Sequence, residues 1–133
     1  EEQTRSLIDQ FEVLVPRGLG PDDHVNGALT IGENIGDLGG LSIAWKALKA
    51  RTAARGEEVT AEDGRVFFEA WARAWQTAMR DEERRRRLTV DPHSPEEFRC
   101  NQIVKNMDAF AEVYGTREGD GMWLAPEERV SIW

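Results

Sequence analysis

Glu33 and Asp37 stand four residues apart in Gly32-Glu33-Asn34-Ile35-Gly36-Asp37, so on a helix their carboxylates share one face. Like charges at that spacing repel unless a cation or an imidazole lies between them. A zinc site of the two-His, one-Glu kind uses such a pair. One carboxylate binds the metal and leaves a position open for water. The other accepts a hydrogen bond from the far nitrogen of a ligand His and fixes its orientation. Gly36, Gly39 and Gly40 would let another backbone approach this face closely. The same residues also have a plainer use. Thr30 and Glu33 fit a capping box, and Asp37 fits a charge favoured by the helix dipole. Spacing alone favours the plainer use.

A calcium loop competes for the same stretch. Asp22, His24, Asn26, Gly27 and Glu33 fall on positions 1, 3, 5, 6 and 12 of an EF-hand pattern. His is a poor ligand for a hard cation, and Gly18, Gly20 and Pro21 break the helix that would have to enter the loop. A helical calcium-binding module is therefore the weaker alternative, beside a purely structural helical domain.

A second cluster lies in Asp91-Pro92-His93-Ser94-Pro95-Glu96-Glu97-Phe98-Arg99. His93, just outside a helix start, can donate a hydrogen bond to a developing oxyanion. Arg99 can hold a carbonyl or carboxylate in its fork. A residue beside a cap and a surface charge explain the two equally well. His24, the other His, reads as a loop residue. The chain contains no His-Glu-x-x-His, no Gly-x-Ser-x-Gly and no P-loop, so no catalytic or metal set is complete within it.

These side chains need elements to carry them. Leu7, Ile8, Phe11, Val13 and Leu14 predict a first helix over residues 4–15, stopped by Pro16. Residues 16–27, with two Pro and three Gly, read as a loop. Leu38, Leu41, Trp45 and Leu48 predict a second helix from Gly32 to Arg55, ended by Gly56. A third should run from Ala61 to Glu83, its stripe of Phe67, Phe68, Trp71, Trp75 and Met79 packing into the core. Residues 88–93 read as a connector. Ser94 then fits an N-cap with Pro95 at N1 and Glu97 at N3. A further short helix is expected over 106–114. No segment alternates like a strand, so the fold class is mainly α in one domain spanning residues 1–133.

Bulk properties narrow the function. Seventeen Lys and Arg against 25 Asp and Glu give a net charge of −8, which disfavours nucleic acid as a partner. The basic run Arg84-Arg85-Arg86-Arg87 follows Asp81-Glu82-Glu83 and reads as a solvated helix end. Cys100 is the one cysteine, so there is neither an internal disulfide nor a Cys-rich zinc knuckle. The chain holds no membrane segment and no signal peptide, and it begins without a Met. It therefore reads as a piece of a longer protein whose compartment, cytoplasmic or exported, is open.

The motifs together resemble the neprilysin family of zinc metallopeptidases. His24-Val25-Asn26-Gly27 and the run from Leu29 through Glu33-Asn34-Ile35-Gly36-Asp37 to Leu41 resemble its Glu-Asn-Ile-Ala-Asp block. Asp91-Pro92-His93-Ser94-Pro95 with Phe98-Arg99 resembles its later block. Asn106 to Glu112, and the ending Glu128-Arg129-Val130-Ser131-Ile132-Trp133, resemble its C-terminus. The match is collinear over nearly the whole chain. Gly36 departs from the usual Ala, and Leu38 stands where Asn often does.

The resemblance implies the helical C-terminal portion of a zincin-like catalytic domain. It makes Glu33 the third zinc ligand and Asp37 the carboxylate orienting a ligand His. It makes His93 the stabiliser of the tetrahedral transition state and Arg99 the binder of substrate backbone. The His-Glu-x-x-His helix, with two zinc ligands and the general base, would lie before residue 1. The parent would be an endopeptidase acting on peptides, and its single Cys points to a bacterial member. Alone, the piece should be inactive. It should also expose apolar surface where the absent N-terminal part of the same protein packs, and so tend to self-associate.

Overall fold

Asn26 sets where the longest helix begins. Its side chain accepts a hydrogen bond from the Leu29 N–H at 2.9 Å, and its backbone is extended, which is the geometry of an N-cap. The computed structural model describes residues 2–132. Glu1 and Trp133, the last residue of the expected C-terminal motif, lie outside the described residues. Six helices follow in order: α1 (Glu2–Glu12), α2 (Gly27–Ala53), α3 (Ala61–Ala74), α4 (Asp81–Val90), α5 (Glu96–Lys105) and α6 (Asp108–Tyr114). A 3₁₀ turn at Pro126–Glu128 closes the series. Among the described residues there is no strand, so the mainly α expectation holds.

α5 is the central element, packing against α1, α2, α3 and α6. The core gathers Leu7 and Phe11 from α1, Leu38 and Leu41 from α2, Phe68 from α3, and Ile103 and Val104 from α5. Each such side chain contributes about 1.5–3 kcal/mol on full burial. The approach of α1 to α2 depends on Gly27, because a Cβ there would collide with the Ile8 carbonyl oxygen. The Gly27 N–H donates to Glu12 at 2.6 Å, tying the start of α2 to the end of α1.

Several expected boundaries move. α2 starts at Gly27 rather than Gly32, so Thr30 is not a cap. Its buried hydroxyl donates instead to the Asn26 carbonyl. Glu33 is accordingly not a capping-box residue but lies in the second turn. The same start removes the calcium loop, since its positions from Gly27 to Glu33 are helical. Asp23, another acid of that loop, is spent on the Gly20 N–H and on Arg85.

The expected third helix is two helices. α3 opens on a Thr60–Asp63 capping box and ends at Ala74, and α4 begins at Asp81. The intervening Gln76-Thr77-Ala78-Met79-Arg80 contains neither Gly nor Pro. The restart follows from Asp81-Glu82-Glu83, three acids in a first turn where the helix dipole favours them. α4 then continues to Val90, through residues expected to be a connector.

The arginine run is solvated only in part: Arg85 and Arg86 are exposed, while Arg84 and Arg87 are partly covered. Arg85 reaches Asp23, Arg84 reaches Glu97, and Arg87 reaches Asp91 and Glu96, while Arg86 pairs with Glu83 within the helix. α4 buries no residue, so these ion pairs and the half-buried Leu88 are what dock it. Ser94 is not a cap either. Pro95 occupies the N-cap position of α5 without a side-chain bond, and Ser94 turns inward. Gly115, at φ +63, ends α6 in the left-handed region that suits glycine.

Candidate active site

Three segments bring the singled-out residues together. α2 carries Glu33 and Asp37 on one face, the 91–95 loop carries His93, and α5 carries Arg99 in its first turn. Arg99 grips Asp37 with two parallel bonds, Nε to Oδ2 at 2.6 Å and Nη2 to Oδ1 at 2.8 Å. The pair is largely withdrawn from water, with side chains 15% and 11% exposed. The same Nη2 lies 3.6 Å from Glu33 Oε2. His93 Nε2 is 3.4 Å from that oxygen, and both of these side chains are 45% exposed. The like charges of Glu33 and Asp37 are therefore offset by a shared guanidinium, with an imidazole beside Glu33.

Arg99 and His93 are each positioned from behind. The Arg99 guanidinium lies over the Trp75 ring at 4.3 Å, a cation–π contact. Its bond with Asp37 raises its pKa above the ordinary value despite the opposing effect of burial, and the charges of Asp37, Glu33 and Glu96 add to the rise. Asp37 uses Nε and Nη2, and no hydrogen bond is made by Nη1 among the described residues. His93 is held by Asp91, which accepts from the ring at Nδ1 at 2.7 Å and from the His93 backbone N–H at 3.0 Å. A carboxylate facing Nδ1 requires a proton there, so Nε2 becomes a donor only in the doubly protonated ring. Burial opposes the Asp91 charge, but the two bonds from His93 and the charges of Arg87 and His93 hold its pKa below the ordinary range.

All four expected site residues thus converge. His24 does not join them; its Nδ1 is 3.0 Å from the Val25 carbonyl oxygen and 3.8 Å from Glu12. Sequence reasoning missed Trp75, which it assigned to the core stripe, and Asp91. The Asp-x-His spacing was the available signal for Asp91, since an acid two residues before a His can reach both its N–H and its ring. Beside His93 opens a cleft of about 480 Å³, bordered by Arg17, Met79, Arg84, Leu88 and Pro95.

The donor set among the described residues does not complete a metal site. Among the described residues, no three His, Cys, Asp or Glu side chains are grouped to hold a metal ion. Of the site's carboxylates, Asp37 is locked in a bidentate pair and Asp91 is held against His93, whereas Glu33 is half-exposed and suits one ligand position.

The sequence model of Peptidase family M13 matches residues 1–130. A neutral endopeptidase of Lactobacillus helveticus is 37% identical over 96% of this chain and 18% of its own length. Neprilysin-1 of Caenorhabditis elegans is 36% identical over 99% of this chain and 18% of its own. Among solved structures, the Mycobacterium tuberculosis zinc metalloprotease ZMP1, in complex with an inhibitor, superposes with a TM-score of 0.88. It is 46% identical over 99% of this chain and 21% of that one. PepO of Lactobacillus rhamnosis gives a TM-score of 0.86 at 31% identity, over 99% of this chain and 19% of that one. The chain spans about a fifth of the length of these relatives.

Proposed function

The chain belongs to peptidase family M13, and on that ground we propose that it is the C-terminal part of the catalytic domain of a zinc metalloendopeptidase that hydrolyses peptide bonds. The observation that carries the proposal is the meeting of Glu33, Asp37, His93 and Arg99 in one polar patch, from segments 60 to 66 residues apart in sequence.

Glu33 supplies one zinc ligand, and the remaining ligands and the general base come from residues outside this chain. When bound, zinc polarises the water that attacks the scissile carbonyl. Asp37 serves twice. Its two oxygens hold Arg99, and lone pairs remain on each to orient a ligand His. Arg99, held by Asp37 and Trp75, presents its Nη1 edge to a backbone carbonyl of the peptide. His93 donates through Nε2 to the oxyanion of the tetrahedral intermediate while Asp91 holds the opposite nitrogen. Peptide substrates are thus the partners proposed for the complete protein.

The test is made on the complete protein. Glu33→Gln is expected to lower zinc content and peptide hydrolysis together, with kcat/KM down by about 100-fold or more, beyond the range for losing an outer-shell partner. Full zinc occupancy with full activity in that variant would remove Glu33 from the metal site.

A further inference from the structure

We propose that Asn34 and Ser94 are positioning residues that set the separation of Glu33 from His93; the inference rests on the peptidase reading of those two side chains. Each positioning residue directly follows the residue it positions. Asn34 is 0% exposed and Ser94 2% exposed, and the Ser94 hydroxyl donates to Asn34 Oδ1 at 2.8 Å across 60 residues of sequence.

The contact between Glu33 and His93 cannot set its own length. It joins two half-exposed side chains at 3.4 Å, and exposed ion pairs contribute little and are screened by salt. The buried bond one residue along can set it, because breaking it strands a polar atom away from water. Asn34 is itself fixed. Its Nδ2 donates to the Thr30 hydroxyl at 3.1 Å, and that hydroxyl donates to the Asn26 carbonyl at 3.1 Å. The chain of bonds runs from the N-cap of α2 to the loop that carries His93. It determines which way the Asn34 amide faces, with Oδ1 turned to Ser94. The loop has a second anchor in Asp91, which orients the imidazole about its own backbone. Among these side-chain bonds, only that of Ser94 ties the loop directly to α2.

Two measurements test this. In the 133-residue chain, a nuclear Overhauser contact between the His93 ring and the Glu33 side chain is expected, and Ser94→Ala should abolish it. In the complete peptidase, Ser94→Ala should lower kcat about 10- to 100-fold, the cost of a small misplacement, with KM changed less than about threefold. In a His93→Ala background the same change should lower kcat by less than about twofold, because residues acting through one another are not additive. Thr30→Val, which frees the Asn34 amide while nearly keeping its volume, should act in the same sense but less; it carries the test if Ser94→Ala does not fold. A ring contact that survives the substitution, or an equal loss of kcat in both backgrounds, overturns the proposal. If the complete protein cleaves no peptide, the peptidase reading falls, and the ring contact alone decides whether Ser94 positions His93.

Discussion

Asp91 is the site residue whose ionisation should couple stability to pH. Its carboxyl is held below the ordinary value of 3.8 in the fold. A group depressed in this way contributes stability above its unfolded pKa and loses it as pH falls through the folded one. Asp91→Asn should therefore cost about 1.5–3 kcal/mol at pH 7, the range for hydrogen bonds to a charged group. The difference from the unsubstituted chain should shrink towards zero below about pH 4, where the ordinary Asp protonates. Urea unfolding at pH 7 and in acid measures both, and an equal gap at the two pH values would count against an ionised Asp91. Arg99 makes a different prediction. Arg99→Lys keeps the charge but loses the fork on Asp37 and the guanidinium contact over Trp75, so about 1–2 kcal/mol of stability should go. An unchanged urea midpoint would mean that charge alone holds Asp37.

At the scale of elements, one substitution should have opposite signs at two glycines of α2. A Cβ at Gly27 meets the Ile8 carbonyl, a backbone atom that can yield only by moving α1; Gly27→Ala should destabilise by about 1–3 kcal/mol, as overpacking does. At Gly36 a Cβ meets nothing within 4 Å, and Gly36→Ala should stabilise the chain by up to about 1 kcal/mol through helix propensity. Thermal unfolding of the two variants compares them directly. These helices also mark what the sequence makes legible. The stripe of Leu38, Leu41, Trp45 and Leu48 was enough to find α2, because burial on one face leaves a 3.6-residue period. Its start was not, because Thr30 and Asn26 are both good cap residues, and only the packing of Gly27 on α1 selects Asn26. The gap between α3 and α4 has no Gly or Pro to announce it and depends on arginines reaching partners far along the chain. The four site residues were nameable through the family resemblance, whereas spacing alone made Glu33 and Ser94 helix caps. Neither is one: Ser94 reaches across to α2, a partner that local sequence cannot reveal.

For the whole molecule, the question is what 133 residues can do when their relatives are about five times as long. Four of the six helices, α1, α2, α3 and α5, share one buried core. Chemistry is a separate matter, because metal affinity depends on the number of ligands and on their being preorganised. Glu33 offers one carboxylate, which lies 3.6 Å from the Arg99 guanidinium and 3.4 Å from the His93 ring. Displacing those contacts to admit a divalent ion gains little without further ligands. Calorimetry should therefore detect no saturable binding of zinc at micromolar concentrations, and the chain with added zinc should hydrolyse no peptide. Clear turnover by this chain that Glu33→Ala abolishes would sink the view that the remaining ligands lie elsewhere. Binding that survives Glu33→Ala would instead reflect adventitious carboxylates on a surface of net charge −8. A complementing polypeptide should restore zinc binding only when it brings the missing ligands to the face of α2 that carries Glu33 and Asp37, so restored binding must depend on Glu33.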